Sequence, residues 1–153
     1  MSLKETRHGI YKPINRSKYI GAEFPIFRSS WELKAFISLD RNDKILRWGS
    51  ENVSIYYIDE TRNNERHQYI IDLFFEIADV KKDGRPIKWL LEIKPERHSI
   101  MPQSKKGKKL SNVISESIIV KRNHCKWRAA VEFCKSKGWH FGVYTENGIS
   151  KLC

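Results

Sequence analysis

The sequence predicts a single α/β domain whose elements run helix, three strands, helix, strand. Three observations predict it. Apolar residues recur at helical spacing around residues 31–39 and again at 127–134, β-rich runs fill much of 52–94, and a last β-rich run follows at 139–144. A chain of 153 residues is long enough for one compact domain with a sizeable core.

Residues 1–26 are polar, basic and Tyr-containing, with Pro13 and Pro25 as breakers, and are expected to form a basic arm or extended lead-in. The domain proper is expected over 27–153. Trp31, Ala35 and Leu39 share one helical face with Phe36 beside them, so a helix should run to about Asp40. Ser29 and Glu32 stand at capping-box spacing at its start. Asn52–Ile58 is rich in Val, Ile and Tyr and predicts a first strand; Asp59–Arg66 is a charged turn. Gln68–Ile77 is the second strand. Lys81-Lys82-Asp83-Gly84 turns the chain into Pro86–Lys94, the third, and Pro95 stops it. Glu96 to about Asn112 is basic and turn-rich. In the second helix, about Lys121 to Lys137, Trp127, Ala130, Val131 and Cys134 lie at i, i+3, i+4 and i+7, and Gly138 is placed as a C-terminal stop. Trp139–Tyr144 is the last strand.

Lys and Arg outnumber Asp and Glu by 29 to 18, a net charge of +11. Such a surplus points to a polyanionic partner, because release of phosphate counterions drives that binding. The plainer alternative is a basic surface that aids solubility. Apolar runs are far shorter than the ~20 residues of a membrane helix. The N-terminal residues lack the apolar core of a signal peptide, so neither a membrane nor a secreted setting is expected. Cys125, Cys134 and Cys153 lack CxxC spacing and are expected as reduced thiols rather than zinc ligands, with Cys134 in the core.

The chemistry concentrates in Tyr69-Ile70-Ile71-Asp72-Leu73-Phe74 and Trp89-Leu90-Leu91-Glu92-Ile93-Lys94-Pro95. Residues two apart on a strand point the same way, so Glu92 and Lys94 share a face while Trp89, Leu91 and Ile93 take the other. Asp72 interrupts an otherwise apolar strand, which costs free energy unless the charge is paired or holds a metal. Two carboxylates on adjacent strands suit Mg²⁺, a hard ion that takes oxygen ligands and keeps several waters. A nearby lysine can orient or deprotonate an attacking water. Phosphodiester cleavage needs these functions together.

In these residues the sequence resembles the PD-(D/E)xK nuclease superfamily. Asp72 matches its first acidic position and Glu92-Ile93-Lys94 its (D/E)xK element; the proline before the aspartate is replaced by Ile71. The resemblance implies a restriction-endonuclease-like αβββαβ core, a mixed central sheet flanked by helices. It also implies a nuclease domain over 27–153, with Asp72, Glu92 and Lys94 catalytic. The superfamily often sets a glutamate on the first helix facing the metal, and Phe27-Arg28-Ser29-Ser30-Trp31-Glu32 looks like that segment of transposon-end endonucleases and phage head-completion nucleases. Glu32 is thus a fourth candidate and a third metal ligand beside Asp72 and Glu92; its other reading is capping duty with Ser29, and the two are compatible.

Within the superfamily the chain is similar to the head-completion nucleases of T4-type tailed phages. That likeness rests on Lys18-Tyr19-Ile20-Gly21, the Phe27–Glu32 segment, Trp48-Gly49-Ser50-Glu51, Leu91–Pro95 and Lys126-Trp127-Arg128-Ala129-Ala130. It implies an Mg²⁺-dependent endonuclease, with Mn²⁺ able to substitute, that processes the packaged DNA end as the head is completed. DNA and phage head or portal proteins would be its partners, in the host cytoplasm during assembly or in the virion. The rivals are a non-catalytic DNA-binding virion protein that keeps a nuclease fold, and a transposon-end or restriction-like endonuclease.

Lys105, Lys106, Lys108 and Lys109 around Gly107 are candidate phosphate contacts, against a solvated loop as the plainer reading. Arg122 and Lys126, one helical turn apart, are further candidates. Packing or capping accounts for Asn123 as well as catalysis does. His67 and His98 flank the motif strands; either could join proton transfer, but surface histidines without catalytic duty are the expectation. Trp31, Trp89, Trp127 and Trp139 are core or base-stacking candidates, and Asp79 and Asp83 are expected to serve a turn.

Overall fold

The computed structural model describes residues 8–78, 84–103 and 106–153. The turn expected over 81–84 lies outside them except for Gly84, as do Asp79, Asp83 and Lys105. A two-stranded antiparallel ribbon, β1 (Gly9–Ile10) with β2 (Ile26–Phe27), precedes helix α1 (Ser30–Arg41). Strands β3 (Ile45–Asp59), β4 (Glu65–Ile77), β5 (Ile87–Ile93), β6 (His140–Thr145) and β7 (Gly148–Lys151) form one five-stranded sheet in that order. Helix α2 (Leu110–Lys137) stands between β5 and β6 in the chain. The expected helix, three strands, helix, strand is present, in a mixed sheet with two helices.

The differences from expectation have local causes. β3 begins seven residues before Asn52, and its burial alternation breaks at Gly49-Ser50-Glu51, which hid the first half. α2 begins eleven residues before Lys121; that first part exposes Leu110, Ile114 and Ile118. Its serines Ser115 and Ser117 bond back to carbonyls four residues earlier, a habit that makes serine a poor helix signal. β7 has no counterpart among the expected elements. It pairs with β6 from Thr145↔Gly148 to Gly142↔Lys151, and its signal was the Asn147-Gly148 turn. Gly138 does end α2, at φ 69°, where its N–H bonds to the Cys134 and Lys135 carbonyls.

The chain divides into two compact units, residues up to Val53 with Ile71–Ile93, and Ser54–Ile70 with Lys94–Cys153. In the first, Trp48 is wholly buried against Tyr11, Tyr19 and Phe36. The described part of the lead-in packs there through Tyr11 and Tyr19. Asp40, buried at the end of α1, accepts the Tyr11 hydroxyl at 2.7 Å and the Ile14 and Asn15 backbone N–H groups at 2.7 and 3.0 Å. The Asn15 amide and the Lys18 ammonium then bond to the Asp40 carbonyl.

In the second unit, Val120, Trp127, Ala130 and Cys134 of α2 are buried, as are Phe141 and Val143 of β6. The expected core place of Cys134 is observed, and burial pushes its thiol pKa up to about 12. Among the described residues no helix is long and apolar enough to cross a membrane.

Candidate active site

β4 and β5 pair antiparallel from Ile77↔Ile87 to Leu73↔Leu91. Asp72 and Glu92 are the next two residues of that register, cross-strand neighbours whose side chains leave the same face. Their strands are fixed by apolar pairing behind them, including stacked Phe75 and Trp89 rings 6.1 Å apart. Glu92 is 2% exposed. One Asp72 carboxylate oxygen accepts the Ile93 backbone N–H at 2.8 Å, which ties the acid to the neighbouring strand. A second acid on β4, Glu76, is compensated otherwise: Arg47 pairs with it at 2.5 Å and Lys88 at 3.7 Å, and Arg47 holds its carboxyl below the usual range.

α1 brings the third carboxylate. Ser29 caps the helix, accepting the Glu32 backbone N–H at 3.2 Å, and the Glu32 carboxylate accepts the Arg28 N–H at 2.6 Å. Capping duty is therefore real. It does not exhaust the residue, because Glu32 and Asp72 line one narrow cavity with Phe36, Ser50, Glu51, Leu73 and Ile93. Its volume of about 10 Å³ is room for roughly one water-sized occupant. Glu92 stands outside that lining, one residue from Ile93.

Two residues of this site were not singled out from the sequence. Glu51 lines the cavity with φ at +54°, a left-handed conformation that non-glycine residues inside strands rarely adopt and that costs about 1–2 kcal/mol. Two residues before it, a Cβ on Gly49 would meet the Asn52 amide at 2.6 Å, so that exposed side chain would have to shift. Arg28 pairs with Glu51 at 2.5 Å. That hydrogen bond raises the guanidinium pKa, with Glu51, Glu32 and Asp72 all contributing charge. The only sequence hints were the Phe27–Glu32 and Trp48–Glu51 segments themselves.

The donor chemistry fits a hard divalent cation. Carboxylates converge on one small cavity, and the protein already sets a cationic group against them. Among the described residues no group of three or more His, Cys, Asp or Glu is drawn close enough to hold an ion as it stands. Asp72 and Glu92 offer the two-carboxylate arrangement that leaves an Mg²⁺ ion most of its waters.

Lys94 follows β5 directly and opens the second unit, where its backbone N–H bonds to the Tyr144 carbonyl at 3.0 Å. The other basic candidates differ among themselves. Lys106 and Lys109 are exposed, and Lys108 pairs with Glu116 at 2.7 Å. Arg122 is committed to structure: its guanidinium bonds to Asp59 at 3.0 Å and to the Thr61 hydroxyl. Lys126 lies over the buried Tyr57 and Tyr69 rings at 5.8 and 5.5 Å. Asn123, 5% exposed, donates to the His98 carbonyl, a packing role. Burial, with Arg97 and Lys94 nearby, lowers the His98 pKa, while His67 pairs with Glu65.

The sequence pattern of the TnsA-like endonuclease N-terminal family matches residues 42–146, a stretch that holds Asp72, Glu92 and Lys94. Over 152 residues the chain is 30% identical to the head completion nuclease of Enterobacteria phage T4, covering 94% of both chains, and that match takes in Glu32 as well. The mixed five-stranded sheet with two helices is consistent with the restriction-endonuclease-like fold of that family. The chain belongs to the TnsA-like endonuclease family, and so to the restriction-endonuclease-like nucleases.

Proposed function

We propose that this nuclease is an Mg²⁺-dependent DNA endonuclease with Asp72, Glu92, Lys94 and Glu32 at its centre. The observation that carries the reading is the Asp72–Glu92 cross-strand pair, with Glu32 delivered by α1 to the cavity that Asp72 lines. Asp72 and Glu92 would hold the ion and Glu32 would support it, with Mn²⁺ able to take its place. When bound, the ion would polarise the phosphate and acidify a coordinated water. Lys94 orients the attacking water or takes its proton as the water oxygen joins phosphorus and one P–O ester bond breaks. Lys106, Lys108 and Lys109, beside the start of α2, contact backbone phosphates with little regard for sequence, as the +11 charge favours.

The setting we infer is phage head completion, where the nuclease trims or guards the packaged DNA end beside head or portal proteins. Its support is the likeness to a relative named for that step.

Cleavage of supercoiled plasmid with Mg²⁺ tests the chemistry. Asp72→Ala and Lys94→Ala should each slow it by about 100-fold or more, the scale expected when a metal ligand or a general base is lost. Cleavage unchanged in both variants would sink the assignment.

A further inference from the structure

We propose that Arg28 is a resident counter-ion of the metal site: it holds Glu51 while the site is metal-free and yields it to a divalent cation, which frees the guanidinium for a DNA phosphate. The inference rests on the metal-dependent reading above and adds a coupling between metal and DNA.

Arg28 is bound into the carboxylate group at both ends. Its backbone N–H donates to Glu32, and its side chain donates to Glu51 at 2.5 Å. Glu32 and Asp72 both contribute favourable charge to it. The guanidinium thus pairs with one of the three carboxylates that line the cavity and adds favourable charge beside the other two.

The pair is also built to exchange. The Arg28 and Glu51 side chains are 53% and 44% exposed, and ion pairs open to water are weak. The contrast is Glu76, whose side chain is 6% exposed and holds two cations. A divalent ion carries twice the charge of Arg28 and would outcompete it for Glu51. The released guanidinium presents a planar fork suited to phosphate oxygens. By linkage, whatever draws Arg28 away from Glu51 must strengthen metal binding, and the reverse.

Mn²⁺ titration calorimetry on the full chain tests this, with thermal melts confirming that each variant folds. Arg28→Gln should bind Mn²⁺ up to about fivefold more tightly than wild type, the size expected when an exposed competing ion pair is removed. Glu51→Gln should bind more weakly, and adding Arg28→Gln to it should change little, because the competition passes through Glu51. In a Lys94→Ala background, which keeps a duplex intact, Mn²⁺ should strengthen duplex binding more when Arg28 is retained than when Arg28→Gln is added. Equal metal affinity in wild type and Arg28→Gln, an undiminished effect in the Glu51→Gln background, or an equal duplex gain would each overturn the proposal. Loss of Asp72-dependent Mn²⁺ binding in wild type would instead remove the metal site itself.

Discussion

Among the described residues each compact unit buries one aspartate completely, and the two are satisfied by opposite means. Asp40 in the first unit is met chiefly by neutral dipoles, the Tyr11 hydroxyl and two backbone N–H groups. Asp59 in the second is met by the Thr61 N–H and hydroxyl and by two guanidinium groups, Arg122 at 3.0 Å and Arg62 at 3.5 Å. Burial raises both carboxyl pKa values, and the partners more than reverse it, so both end below their ordinary value. The neutral cage pins a chain segment about 25 residues upstream, from Tyr11 to Asn15. The charged one clamps the turn after β3 to α2. Dipoles from consecutive backbone groups hold a segment in one path; a long arginine reaches a distant element and tolerates small shifts.

The largest expected effect breaks the neutral cage. Asp40→Ala leaves three donors without their acceptor and should cost about 3 kcal/mol or more in denaturant unfolding. A cost under 1 kcal/mol would mean that water replaces the carboxylate. Arg122→Ala should cost less, about 2 kcal/mol, because Thr61 and Arg62 still face Asp59. A larger loss than for Asp40→Ala would invert the comparison. Tyr11→Phe removes one of three donors and should cost about 1 kcal/mol.

Acid sharpens the contrast less than mutation does. Both folded carboxyl pKa values are depressed, so both contributions are complete above the ordinary aspartate range of about 4 and fade as pH falls through the folded values. Tyr11 adds an alkaline limit: its pKa rises to about 12, mainly by burial and then by Asp40, so its contribution is complete below about 10 and lost as pH rises through 12. Melts across this range should show the alkaline loss reduced in Tyr11→Phe. The smallest effect is expected on the surface. Glu60 bridges Lys121 and Arg128, and Glu60→Gln should lower Tm slightly at low salt and not at 1 M NaCl.

The comparison also explains what the sequence disclosed. α1, the first part of β4 and the second half of α2 were legible from residue spacing, whereas β5 and β6 are short buried runs, legible from their β-rich composition and from Pro95 and Gly138 beside them. The acid pair was legible for the opposite reason: Asp72 and Glu92 break an apolar pattern at a place where a charge needs a purpose. Asp40 and Asp59 carry no such mark, because each sits at the end of an element, where acids are ordinary. Their significance depends on Tyr11 and Arg122, 29 and 63 residues away. Arg122 shows the converse, a cation on a basic chain that suggested phosphate contact and serves Asp59. Glu51 was hidden because a left-handed residue within a strand erases the alternation that would have placed it.

That same residue bears on how such a chain would change under selection. Glycine at position 51 would relieve the left-handed backbone, a gain of about 1 kcal/mol over glutamate there. On the metal role proposed for Glu51, variants chosen for heat resistance alone would drift toward Glu51→Gly, and variants chosen for cutting would keep the acid. On that proposal, glutamate at this bend is where durability and activity pull the sequence in different directions.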